Sequence, residues 1–149
     1  MSYYADQLAI GLEYEKFVKD ILIKEIGIEL NPYMGMKQQL LFGENRQGME
    51  IKFNSKMTEY KSIYFEVEER SRVDRPYNDS GILRKDNSWL YICGNYSLIY
   101  IFGKKHLQKI KDSGLFVIKE IARKTSKGFT MSLLDADKYC LKKIEVQNV

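Results

Sequence analysis

Cysteine, proline, histidine and tryptophan are all scarce in this chain. Cys93 and Cys140 are too few for a disulfide framework, and neither stands in a metal-ligand spacing. Both read as buried thiols. The single histidine, His106, follows Lys104 and Lys105, which argues against an imidazole-based zinc site and against a Ser-His-Asp triad. With two prolines and no Pro/Gly-rich tract there is no sign of a linker, so the 149 residues read as one domain, 1–149. No apolar run could span a bilayer, and the first residues carry no signal-peptide pattern. The expected setting is therefore cytoplasmic, with no membrane partner.

What is present is a foldable balance of 44% hydrophobic and 30% charged residues. The net charge of +4 permits a polyanionic partner without demanding one. Local clustering says more. Arg70, Arg72, Arg75, Arg84 and Lys85 crowd one short segment and are the candidate contacts to a phosphate backbone.

Apolar periodicity predicts a helix over 3–26, with Leu8, Gly11, Leu12, Val18, Leu22 and Ile26 on one arc and Gly27 as its stop. Glu15 falls inside that arc, where a carboxylate must be paired, protonated or facing a polar pocket. A short strand is expected at 39–44, a hairpin turn at 45–48, and strands at 49–54 and 62–69. Residues 89–93 and 97–102 flank Gly94-Asn95, a strong hairpin signal. Helix 104–113 should end at Gly114. Strands are expected at 115–121 and 129–134 with a turn at 126–128, and Asp135 could cap a helix over 136–144. This order reads as an α/β (α+β) chain, a mixed sheet with helices packed on it.

The chemistry concentrates in two of these strands. Alternation puts Glu50, Lys52 and Asn54 on one face of the first, and Tyr64, Glu66, Glu68 and Arg70 on one face of the second. If the two strands pair, their carboxylates converge beside a lysine, and such a cluster repels itself unless a cation neutralises it. Phosphodiester hydrolysis uses that arrangement: one or two magnesium ions on oxygen ligands activate water and balance charge at phosphorus. Glu50 and Glu66 would be the metal ligands, Lys52 would orient water and stabilise the developing charge, Glu68 would extend the acidic face, and Glu15 would close the site from the helix. Two registers fit. In one, Glu50 is the first acid and Glu66-Val67-Glu68 the second pair. In the other, Glu44 is the first acid and Glu50-Ile51-Lys52 the acid-x-lysine element. Tyr77 and Trp89 could offer bases a stacking surface, although the apolar neighbours of Trp89 point rather to the core.

The order of elements, from Gly11-Leu12-Glu13-Tyr14-Glu15 through an acidic strand and an acid-x-lysine strand, resembles the PD-(D/E)XK nuclease superfamily. More narrowly, Gly43-Glu44-Asn45, Gly48-Met49-Glu50-Ile51-Lys52-Phe53, Tyr64-Phe65-Glu66-Val67, Ser80-Gly81-Ile82 and Asp86-Asn87-Ser88-Trp89-Leu90-Tyr91 are similar to small phage- and prophage-encoded members. The resemblance covers about residues 11–112. It implies a restriction-endonuclease-like core, a central mixed β-sheet flanked by helices, and Mg²⁺-dependent cleavage of DNA, restriction-type or junction-resolving, with Mn²⁺ as substitute. Cutting both strands of a duplex would suit a two-fold homodimer. The chain has no Pro-Asp pair, carries Asn54 where aspartate is usual, and has no lysine in Glu66-x-Glu68. A catalytically inactive nucleic-acid-binding module of the same fold is therefore the alternative.

Overall fold

Helix α1 (Tyr3–Ile26) forms where the periodicity predicts it, and Gly27 ends it at φ 69°, a conformation glycine adopts freely. The structure, a computed structural model, describes residues 3–147, with side chains from residue 5. The buried stripe of α1 is Tyr14, Val18 and Leu22, each fully buried at four-residue spacing, whereas Leu8 and Leu12 of the expected arc remain 40% and 45% exposed. The Tyr14 hydroxyl also donates to the carbonyl of Asn95 at 3.1 Å, pinning the helix to a hairpin turn.

Beneath α1 lies a mixed four-stranded sheet. Strand β1 (Met49–Phe53) is its edge and runs parallel to β4 (Leu90–Gly94). β4 forms the expected hairpin with β5 (Leu98–Gly103), which pairs antiparallel with β8 (Lys142–Glu145). The Asn95 side-chain oxygen accepts the N–H groups of Ser97 and Leu98, each at 2.9 Å, so the turn is fixed by asparagine chemistry. The second sheet is antiparallel: β3 (Asn78–Asp79), β2 (Ser62–Glu69), β7 (Ser126–Ser132) and β6 (Lys119–Glu120), in that spatial order. Met49, Ile51, Leu90, Ile92, Ile99 and Ile144 pack toward α1. The opposite face of the mixed sheet, with Tyr91, Cys93 and Phe102, meets Ile63, Phe65 and Phe129 of the antiparallel sheet. Phe65 and Phe102 cross edge to face at 5.2 Å. Fully burying side chains of this kind is worth about 1.5–3 kcal/mol each.

The α/β class holds, but the detail differs from the sequence expectation. Strands 49–53 and 62–69 do not pair; they belong to different sheets, and residues of both line one cleft. Residues 39–44 are not a strand; helix α2 (Met36–Phe42) occupies that region. Residues 45–48 do turn, the Gly48 N–H donating to the Asn45 carbonyl at 3.3 Å, but they join no two strands into a hairpin, because a helix precedes them. The Asn45 side chain also accepts the Met49 N–H at 2.9 Å and donates to its carbonyl at 2.7 Å, while its backbone bridges Pro32. Residues 126–128 are strand, not turn, because Ser126 and Gly128 pair with Glu69 and Glu66. Helix α4 (Lys104–Asp112) matches its expectation; α3 (Met57–Tyr60) is one added turn. The last helix, α5 (Leu133–Tyr139), is capped by Ser132, whose Oγ accepts the Asp135 N–H at 3.1 Å, and it gives way to β8 where helix was expected. Cys93 is buried as expected, and Cys140 half-buried. Among the described residues, no helix is long and apolar enough to cross a membrane.

Candidate active site between the sheets

An edge strand leaves one row of backbone groups without a ladder partner. On β1 the Ile51 N–H is taken by Glu44 Oε2 at 2.9 Å. Burial pushes the Glu44 carboxyl up to about 7, against the pull of Lys52 and of that hydrogen bond. Glu15 shares the hollow beside Glu44, on the α1 side of β1, and burial raises its carboxyl too.

On the other face of β1, Glu50 and Lys52 look into a cleft of about 660 Å³ between the sheets. Glu50 is 2% exposed; its Oε1 lies 3.3 Å from Lys52 Nζ and its Oε2 3.9 Å from Lys104 Nζ. Oε2 makes no hydrogen bond, the one buried side-chain oxygen or nitrogen so placed among the described residues. Buried polar atoms normally have hydrogen-bond partners, so a buried carboxylate oxygen held only by the Lys104 charge calls for an explanation. Burial acts to lower the Lys52 pKa, but Glu50 and Glu44 outweigh it and the ammonium is held above its ordinary value.

Lys104 was hidden in the sequence by the charged run that contains it. It is 3% exposed and donates to the Arg84 carbonyl at 2.7 Å, Ser88 Oγ at 2.6 Å and Asp86 Oδ1 at 3.1 Å. Ser88 Oγ in turn donates to Asp86 Oδ1. These bonds, opposed by burial, hold the Asp86 carboxyl below its usual value. The signal was available: Lys104, Leu107 and Ile110 share a helical face, and all three are buried.

Across the cleft, Glu66 accepts from Ser80 Oγ and from Ser126 Oγ, both at 2.6 Å, and Tyr64 Oη lies 2.7 Å from Ser126 Oγ. Ser80 reaches Glu66 because Gly81 (φ 55°) lies against β2; a Cβ there would stand 2.1 Å from the Glu66 carbonyl oxygen. Glu50 and Glu66 thus line one cleft, though from separate sheets rather than adjacent strands. Glu68 is not in it. The β2–β7 register shifts between Glu66 and Glu68, Glu69 lines the cleft instead, and Glu68 sits 3.9 Å from Lys127.

The five basic candidates separate. Arg84 lines the cleft and donates to the Gln39 and Leu40 carbonyls at 3.1 and 3.3 Å, anchoring the end of α2. Lys85 is exposed beside a neighbouring groove. Arg70 is spent inside the fold, donating to the Lys124 and Arg75 carbonyls and to Glu120. Arg72 pairs with Asp74, and Arg75 is exposed in the same loop. Tyr77 has cations of Arg70 and Lys127 at 4.2 and 4.3 Å from its ring, so it is not open for base stacking.

Among the described residues no three His, Cys, Asp or Glu side chains form a group able to hold a metal ion. Glu50 lines the cleft and has one oxygen without a hydrogen bond, which fits magnesium, an ion that usually keeps several waters and takes only one or two carboxylates. Comparison with family models, with curated proteins and with solved structures gave no match.

Proposed function

We propose that the cleft is a magnesium-assisted site for hydrolysing phosphodiester bonds in DNA, on a restriction-endonuclease-like core. The observation that carries this reading is the buried Glu50 Oε2, without a hydrogen bond beside an open polar cleft. Glu50 would hold the ion, and Glu66 would join it by yielding a serine hydroxyl. When bound, magnesium supplies an acidified water and charge stabilisation at phosphorus. Lys52 stays protonated near neutrality, so its contribution is electrostatic: it steers a phosphate to the edge of β1 and stabilises charge there. Lys104 and Asp86 keep Glu50 in place from behind. Arg84 and Lys85 are the candidate backbone contacts that face this side of the molecule.

A second reading has its own support. Glu50 already lies near two ammonium groups, as a purely structural carboxylate would. A binding module without turnover would look the same. Supercoiled plasmid incubated with Mg²⁺ or Mn²⁺ separates the two. Nicking by the wild type, lost in Glu50→Ala and in Glu66→Ala, supports hydrolysis; DNA retardation with no nicking in either metal supports the module.

A further inference from the structure

Trp89 does not join the core. Its side chain is 59% exposed, yet it is held on three sides. Its backbone N–H donates to the Gly48 carbonyl at 2.9 Å, its carbonyl accepts the Lys104 N–H at 2.9 Å, and its indole Nε1 donates to the Gln47 carbonyl at 2.7 Å. The ring passes over Gly48, where an added Cβ would stand 2.6 Å from Cδ1. An aromatic face is thus kept in water with its orientation fixed, which is what a stacking platform needs and a core residue does not.

The ring borders a groove of about 640 Å³ that meets the Glu50 cleft at Asp79 and Arg84. Lys85 and Lys105 line the groove, and both are exposed. Neither makes an ion pair among the described residues. Of the acids present, Asp86 is taken by Lys104 and Arg84, and Asp112 lies 3.4 Å from Lys111, which leaves Asp79.

We propose that this groove binds an unpaired DNA strand beside the cleft, with a base stacked on Trp89 and phosphates on Lys85 and Lys105. A base inside a duplex has both faces covered by its neighbours, so a single fixed ring selects a base that has left the stack. The two cations without ion pairs line the same groove and supply charge for the phosphates that flank that base. The choice of DNA rests on the hydrolysis reading; the stacking site does not. Together they define the substrate as DNA with a single-stranded segment next to the bond that is cut, as at a fork, flap or junction.

The chain has one tryptophan, so its fluorescence reports this site alone. The full chain is titrated with a short oligo(dT), with a blunt duplex of equal length and with polyphosphate, at low salt and without divalent metal. Oligo(dT) is expected to quench the emission while the other two leave it unchanged. Trp89→Ala should weaken oligo(dT) binding roughly tenfold, and Trp89→Phe should recover most of it. Lys85→Ala and Lys105→Ala should each lower the slope of log affinity against log salt by about 0.7. Oligo(dT) binding with unchanged emission, equal quenching by the duplex, or wild-type affinity in Trp89→Ala would overturn the proposal. Tighter binding of oligo(U) RNA would overturn the assignment to DNA. Quenching without nicking under any divalent metal removes hydrolysis and keeps the strand site; nicking without quenching does the reverse.

Discussion

On the β1 wall of the cleft Glu50 is buried, lies near two ammonium groups and leaves Oε2 without a hydrogen bond; on the β2 wall Glu66 has a hydroxyl at 2.6 Å on each oxygen. The strand patterns that place them are alike, with apolar residues on one side and carboxylates on the other. The surroundings differ. Glu66 is satisfied by its own fold, while Glu50 is held by charge at longer range. A carboxylate with all its bonds made must give one up before it can take an ion; one with an oxygen that makes no hydrogen bond need not.

The sharpest way to break this comparison is Glu50→Ala, expected to cut nicking by at least roughly a hundredfold, as loss of a transition-state electrostatic group does. Equal nicking by Glu50→Ala and wild type would remove the distinction between the walls. Next is Lys104→Met. It strips the buried cation from Asp86, Ser88 and Glu50 and should destabilise the fold by about 3–5 kcal/mol in urea unfolding. A loss below about 1 kcal/mol would show that Lys104 does not hold the β1 wall. Glu66→Gln keeps the shape but weakens two charge-assisted bonds, at a cost of about 1–3 kcal/mol. Glu68→Gln, at a half-exposed pair, should cost less than about 1 kcal/mol.

A separate effect concerns pH. The folded chain raises Glu44 from 4.5 to about 7, so between those values it binds more protons there than the unfolded chain does. Stability from this group is therefore greatest below pH 4.5 and falls as pH rises toward 7, and Glu15 adds a contribution of the same sign. Glu44→Gln should flatten the decline in melting temperature across that window. An unchanged slope would place the Glu44 carboxylate in water.

Local patterns were readable. Alternation in 49–53 and 62–69, Gly94-Asn95 between apolar runs, and the spacing in α1 each depend on neighbours in sequence. Partnership of strands does not. β1 takes β4 as its neighbour, from the far side of the basic segment, because Ile51 and Ile92 must share the α1-facing core while Glu50 and Tyr91 face the antiparallel sheet. Glu50 and Glu66 line one cleft all the same; the alternation that sets each opposite its strand's apolar residues was visible, but their meeting from two different sheets was not. The bulge that carries Glu68 out of the cleft was not, because it is set by pairing with β7. Trp89 was read toward the core from its apolar neighbours, but it precedes β4 and is held outward by carbonyls of residues 47 and 48, a long-range arrangement. Lys142-Lys143-Ile144-Glu145 carries too short an alternation to be told from the end of a helix.

Titrating the full chain with Mn²⁺, followed by electron paramagnetic resonance, addresses the open Glu50 oxygen directly. The wild type is expected to bind the ion, Glu50→Gln to lose it, and Glu68→Gln to keep it. A wild type that binds no Mn²⁺, or a Glu50→Gln chain that binds it as well as the wild type, would leave Glu50 a structural carboxylate and no metal site in the cleft.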